Sequence, residues 1–177
     1  MKFHDLILDI DSTLIHTITD TADIAPNNIT LAHFRALPSY WTFLRPHLQE
    51  FLDYIFEHYR VSVWTAADAG YAYKILEHIM PKRQIYAFYT RISTDECEDK
   101  TGKHKLLTYF DKIFDKPLII DDRVDVAAIQ PNNAYNIKAF DVTRPDAYLD
   151  TALVDLVRWL QVIDKPDLPP DSTSTSS

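Results

Sequence analysis

Four short apolar runs punctuate the chain, at residues 3–10, 60–65, 86–89 and 117–120. Runs of this length, bounded by polar residues, are those of strands buried on both faces of a parallel sheet. Between them the apolar residues recur at helical spacing. Pro46, a favoured first helical residue, precedes Leu48, Phe51, Leu52, Ile55, Phe56 and Tyr59. Asp68 is suited to cap a helix with Tyr71, Ala72, Ile75, Leu76 and Ile79 on one face, ended by Pro81. After the Tyr86–Tyr89 strand, Arg91–Ser93 extends the sheet and Asp95–Lys103 reads as a polar loop. Lys105–Phe110 is expected as a short helix, Asn136–Phe140 as a fifth strand, and a last helix runs from Asp146 or Asp150 through Leu160. Residues 16–44 are irregular, with Pro26, Asn27, Asn28 and Pro38 as turn residues. Within them Ile29–Leu31 and Tyr40–Leu44 suggest short antiparallel strands.

Strands alternating with helices predict an α/β fold: a central parallel sheet, helices on both faces, and a small β insertion after the first strand. Ligands of such sheets bind beyond the carboxyl ends of the strands. The first strand ends in Asp9 and Asp11, the second in Thr65, and the fourth in Asp121 and Asp122. Parallel neighbours would bring all five to one rim. Lys105, one short helix and one strand before Asp121, would reach that rim from its helix's N-terminal end.

Composition narrows the chemistry. The 177 residues suit one domain, expected over 1–163, and DKPDLPPDSTSTSS at 164–177 reads as a flexible tail. A net charge of −8 argues against a general nucleic-acid binder. No apolar run is long enough to span a membrane, and no signal peptide is expected. The one cysteine, Cys97, allows no intramolecular disulfide and fits a reducing compartment. Two glycines, Gly70 and Gly102, exclude a glycine-rich phosphate cradle. Phosphate would have to be handled by charges and a metal.

Four aspartates at one rim raise one another's pKa values unless a cation intervenes. Magnesium (Mg2+) suits this: it takes oxygen ligands and accepts one or two carboxylates plus a phosphate. Zinc would want His or Cys, and the histidines show no ligand spacing. A carboxylate can attack phosphorus to give an acyl phosphate, and a second one two residues on can protonate the leaving alkoxide and then activate water. A hydroxyl and a lysine can receive the phosphoryl charge.

These residues resemble a known family. Residues 9–14, DIDSTL, look like the DxDxT signature of the haloacid dehalogenase (HAD) superfamily, and Thr65, Lys105 and Asp121–Asp122 stand where its other motifs belong. More narrowly, LILDIDSTLIHT, FLRPHLQEFLDYI, VSVWTAADAGYA and LIIDDRVDVAAIQPNNAYNIKAF resemble the RNA polymerase II C-terminal-domain (CTD) phosphatases, with DDR and Pro131–Asn132 leaning to the TFIIF-associating branch. The resemblance implies a HAD-like Rossmannoid three-layer sandwich. It makes Asp9 the nucleophile and a Mg2+ ligand, and Asp11 the general acid/base with its backbone carbonyl on the metal. Thr65, Ala66 and Lys105 would hold the phosphoryl oxygens, Asp122 would be a metal ligand, and Asp121 would support the site. Arg45–Pro46 would be structural. It further implies a phosphorylated peptide partner like the RNA polymerase II CTD, without membrane or direct nucleic acid, and a nuclear location.

Thr94 stands where many relatives carry an arginine. A minimal catalytic domain is expected, without a BRCT module and without a helical insertion between Thr65 and Lys105. In the small CTD phosphatases the segment matching 16–44 lines a hydrophobic substrate pocket, for which Ile18, Ile24, Ile29, Leu31 and Phe34 are the apolar candidates here. With no sizeable cap the rim is expected to be open to a peptide. The alternatives are a nucleic-acid 3′-phosphatase or nucleotidase on the same scaffold, and a non-catalytic interaction module.

Overall fold

β1 (Asp5–Leu8) is the middle strand of the molecule. On one side it pairs in parallel with β5 (Arg60–Trp64), on the other with β7 (Pro117–Asp121). β6 (Phe88–Tyr89) and β8 (Ala134–Asn136) complete the sheet, in the order β6-β5-β1-β7-β8. The chain order therefore reverses at β1, which puts a crevice at its carboxyl end. Leu6 and Leu8 point to one face and Ile7 to the other, and all three are fully buried. Burial on both faces is why the run is continuous rather than alternating.

One face carries α1 (Leu48–His58), α2 (Ala69–Ile79) and α5 (Ala152–Ile163), whose apolar stripes close the main core. The other is covered by α3 (Arg91–Thr101), a 3-10 turn at Leu107–Phe110 and α4 (Val124–Ala128), which pack Cys97, Leu107 and Val126 on Ile7, Trp64 and Ile119. The insertion is a separate antiparallel sheet of β2 (Ile15–Ile18), β3 (His33–Leu37) and β4 (Tyr40–Leu44), in the order β2-β4-β3. Its inner side, Ile18 and Phe43, packs on Phe140, Val142 and Ala147. The computed structural model describes residues 3–110 and 112–164, so the tail expected from 164 onward lies almost wholly outside the described residues.

Several elements differ from the sequence reading. Arg91–Ser93 is not strand, and of the loop expected at Asp95–Lys103 only Gly102 and Lys103 lie outside helix: the rest belongs to α3. This helix buries only Thr94 and Cys97, so it leaves a weak apolar pattern, and it ends at Gly102, whose φ of 66° is the left-handed cap that glycine favours. Ile29–Leu31 is not a strand, because Pro26–Thr30 is a 3-10 turn. The turn is pinned by buried Asn28, which donates to the carbonyls of Val142 (2.8 Å) and Arg144 (2.6 Å). The fifth strand lies at 134–136 rather than 136–140, α4 was not expected, and Lys105 precedes a 3-10 turn instead of opening a helix. The last helix starts at Ala152, after a separate 3-10 turn at Ala147–Leu149.

Candidate active site

Sheet pairing continues one residue past β1, where the Asp9 amide donates to the carbonyl of Ile120 (3.0 Å). Asp9 thus stands between the carboxyl ends of β5 and β7, with 6% of its surface exposed. β7 delivers buried Asp121, and half-buried Asp122 follows it. Carboxylate oxygens of Asp9, Asp121 and Asp122 all lie within 4.8 Å of one another. Lys105, itself buried, donates from Nζ to Asp9 Oδ1 (2.5 Å) and Asp121 Oδ2 (2.8 Å).

One ammonium among three carboxylates leaves an excess of negative charge. Burial pushes Asp9 up to about 7, against the pull of Lys105 and with the push of Asp121. Burial raises Asp122 too, helped by the charge of Asp121. Burial alone would lower Lys105, but its two carboxylates reverse that and hold it above the ordinary lysine value. A rim of hard oxygen donors with surplus negative charge fits a divalent cation such as Mg2+, with Asp9, Asp121 and Asp122 as the groups in reach.

The loops that carry these groups are tied down from outside. The turn after β1 is closed by the amides of Leu14 and Ile15 on the Ile10 carbonyl, with Ser12 left-handed (φ 60°). Arg45 holds this turn from below. Its guanidinium donates to the carbonyls of Thr13 (2.9 Å) and Lys138 (2.6 Å) and forks onto Asp150 (2.8 and 3.0 Å). The structural role expected of Arg45 is therefore a specific clamp. Lys105 is also left-handed (φ 48°), a conformation costing a non-glycine residue about 1–3 kcal/mol. Gln130 holds it there: Nε2 donates to the Lys105 carbonyl (3.0 Å) and Oε1 accepts from the Leu107 amide (3.0 Å). Asn136 donates to the carbonyls of Asp121 (3.2 Å) and Asp122 (2.9 Å). Neither Gln130 nor Asn136 stood out in the sequence, since both act on backbone.

Thr65 is buried just past β5, its Oγ1 accepting from the Ala67 amide (3.0 Å), and its hydroxyl proton is left for an acceptor at the rim. Ala66 follows it on the exposed surface. The Asp11 carboxylate is not part of the three-carboxylate group. It accepts from the Tyr71 hydroxyl (2.8 Å), and burial raises its pKa while that hydrogen bond lowers it. Burial and the Asp11 charge raise the Tyr71 phenol far above its usual range. Tyr71 read in the sequence only as one position of an apolar face.

Thr94 faces the core. It is buried, accepts from the Trp64 indole (3.0 Å) and donates to the Thr65 carbonyl (3.2 Å). The exposed cation at this edge is Arg91, whose amide donates to the Ala67 carbonyl (2.9 Å) and whose guanidinium reaches Asp68 (3.2 Å). A cleft of about 640 Å³ opens beside Asp11, walled by Thr17, Leu37, Tyr40, Tyr71 and Lys74. None of the five apolar candidates from 16–44 lines it. Ile18, Ile24 and Leu31 pack into the insertion core, Phe34 stacks on His78, and Ile29 is exposed.

A parallel α/β sheet whose middle strand ends in a buried carboxylate, faced by a buried lysine and two further aspartates, defines a HAD-like phosphoryl-transfer fold. The chain belongs to the NLI interacting factor-like phosphatase family, whose profile matches residues 5–168. Among its relatives is the putative CTD phosphatase-like protein 355R of invertebrate iridescent virus 3, 30% identical over 175 residues, which cover 88% of this chain and 94% of the relative. The human phosphatase of the RNA polymerase II C-terminal domain is 35% identical over 131 residues, 72% of this chain but 13% of the human protein. The fission yeast RNA polymerase II CTD phosphatase Fcp1, solved with beryllium fluoride, shares the fold with a TM-score of 0.61 at 21% identity, over 92% of this chain and 50% of that one. Among the described residues no helix is long and apolar enough to cross a membrane.

Proposed function

We propose that this chain is a Mg2+-dependent phosphoprotein serine/threonine phosphatase that works through an aspartyl-phosphate on Asp9. The observation that carries the reading is the division of labour at the rim. Asp9 is buried beside Lys105 and Asp121, whereas Asp11 turns its carboxylate to Tyr71 on the cleft side. Asp9 attacks phosphorus as the ester P–O bond breaks, and Asp11 gives the leaving alkoxide a proton. Water then attacks phosphorus, Asp11 takes its proton, and phosphate leaves Asp9. Thr65 and the Ala66 amide offer donors to the phosphoryl oxygens, and Lys105 compensates their charge. Asp9 and Asp122, with the Asp11 carbonyl and the support of Asp121, would hold the cation, which would supply counter-charge to the rim carboxylates and to the phosphoryl group.

The cleft favours a peptide. Its apolar walls, Leu37, Tyr40 and Tyr71, adjoin Asp11, and Lys74 leads on to a recess where it and Arg35 stand against one carboxylate, Glu77. In a chain of net charge −8 these local cations would offset the repulsion of a phosphorylated segment. A phosphopeptide resembling the RNA polymerase II CTD is the substrate the relatives suggest, and with it a nuclear site of action. The test compares wild type with Asp9→Asn on an aryl phosphate, a phosphoserine peptide and a 3′-phosphorylated oligonucleotide, with and without EDTA. Peptide turnover that needs both Asp9 and free Mg2+ is expected. Full activity of the Asn variant would remove the mechanism, preference for the oligonucleotide would favour a nucleic-acid phosphatase, and no turnover at all would favour an interaction module.

A further inference from the structure

The Lys105 ammonium reaches the rim from a strained backbone. Its φ of 48° is left-handed, a region that glycine or asparagine enters more readily. Neither of those could supply an ammonium. The strain therefore sits at the residue whose Nζ lies between Asp9 Oδ1 (2.5 Å) and Asp121 Oδ2 (2.8 Å). Strain of this kind persists only where the surroundings enforce it. Here the enforcing group is remote in sequence. The Gln130 side chain donates to the Lys105 carbonyl and accepts from the Leu107 amide, both at 3.0 Å. Among the described residues neither backbone group has another hydrogen-bond partner. A carbonyl only accepts and an amide N–H only donates, so one orientation of the Gln130 amide serves both. Gln130 is itself anchored: its backbone amide donates to the Ala127 carbonyl (3.2 Å), and its carbonyl accepts from the Asn133 amide (2.9 Å). The preceding helix, α4, buries Val126 in the same cluster as Leu107 and Ile119.

We propose that Gln130 is a positioning residue that sets the place of the Lys105 ammonium and, through it, the alignment of Asp9. The inference rests on the phosphatase reading above, in which Asp9 attacks phosphorus and Lys105 compensates the phosphoryl charge. Lys105 is then placed from the β7 side of the rim and not from α3, the helix before it in the chain. Asp121 and Asp122 open the stretch 121–136, Asn136 closes it by holding their carbonyls, and Gln130 lies between. One stretch of chain thus brings the lysine into register with the carboxylates at which it points. Without the Gln130 amide, the Lys105 carbonyl and the Leu107 amide lose their partner. The backbone is then free to relax toward the right-handed region that a lysine prefers. Such a rotation re-aims the Cα–Cβ bond and withdraws Nζ from Asp9 and Asp121. A displacement of about 1 Å at a reacting group costs up to about a hundredfold in rate. Gln130 has no hydrogen bond to a rim carboxylate, so its effect on the reaction passes through Lys105.

The test combines kinetics on an activated aryl phosphate with NMR of the full chain in Mg2+. Gln130→Met keeps the length of the side chain and removes both hydrogen-bonding groups. It is expected to lower kcat about tenfold or more, with KM changed by no more than about twofold, since the Thr65 and Ala66 donors do not depend on Gln130. Gln130→Glu can still accept from the Leu107 amide but, when ionised, cannot donate to the Lys105 carbonyl. It should lose kcat in the same direction, and it carries the test if Gln130→Met fails to fold. In a Lys105→Met background, Gln130→Met should lower the residual kcat by less than about twofold, because the group it positions is gone. With 15N-labelled lysine, the buried ammonium should give a slowly exchanging resonance in the wild type that is lost in either Gln130 variant. An unchanged Trp64 indole resonance would show that the fold around it is intact. An unaltered kcat, an equal loss in the Lys105→Met background, or an unaltered ammonium resonance would overturn the inference while leaving the phosphatase reading in place. A wild type without turnover would sink that reading instead, and the ammonium resonance would then decide the positioning by itself.

Discussion

At the scale of single residues, the rim depends on side chains that never touch it. Arg45 satisfies three carbonyls, those of Ser12, Thr13 and Lys138, and one carboxylate with a single buried guanidinium. Replacing it with methionine fills the space but leaves Asp150 and those carbonyls unpaired. Removing one partner of a buried ion pair costs about 3–5 kcal/mol. Arg45→Met should therefore lower the denaturant midpoint by a corresponding amount at unchanged m-value, and activity should fall with the ordering of the turn that carries Asp9 and Asp11. The rim carboxylates were readable in the sequence because each ends an apolar run. Lys105 was readable only by its distance from Asp121, and its left-handed backbone was not. Gln130, Asn136 and Tyr71 could not be found that way, because their partners are carbonyls or hydroxyls remote in sequence. Thr94, a departure from the relatives' arginine in the sequence reading, is core, bonded to the Trp64 indole and the Thr65 carbonyl, and Arg91, three residues earlier, is an exposed cation at this edge.

At the scale of elements, α2 presents Tyr71, Lys74 and His78 on successive turns of one face, opposite β3. Helix rise spaces such positions by about 5 Å per turn, so the face forms a track leading away from Asp11. Lys74 makes no ion pair among the described residues and lies between the cleft and the basic recess. Lys74→Glu should reduce kcat/KM for a phosphopeptide relative to a small aryl phosphate by about threefold or more, chiefly through KM, and less so at high salt. Core elements of this kind were legible because burial imposes period: 3.6 on α1, α2 and α5, and a continuous run on β1 and β7. α3 was not, since two inward residues in eleven set no period. The insertion was half legible. β4 declared itself, but the turn at Pro26–Thr30 is built by Asn28 bonding to a loop more than a hundred residues away in sequence.

At the scale of the whole molecule, the acidic rim sets a pH dependence. Burial raises the pKa values of Asp9, Asp11 and Asp122 above the ordinary carboxylate range, Asp9 to about 7. A carboxyl raised on folding adds stability below its unfolded pKa and loses it as pH climbs through the folded one. The metal-free protein should therefore lose thermal stability between about pH 5 and about pH 8. Saturating Mg2+ should raise Tm at the upper end and flatten the curve, because a ligand that binds only the folded state stabilises it by mass action. Equal Tm values at both ends without metal would mean that the rim is not desolvated in solution.

The central place of β1 also bears on how the protein acquires activity. Its Asp5 pairs with Arg60 on one side and with Pro117 on the other, so neither contact is local. Closing such long loops is slow, and the sheet is incomplete until the later strand docks. Asp9 comes early in the central strand's segment, yet its lysine and its acidic neighbours come from segments past residue 100. A chain still growing toward that point holds Asp9 without a site. Refolding should then show catalysis returning in the same kinetic phase as the final tertiary signal, with no partly folded species that is partly active.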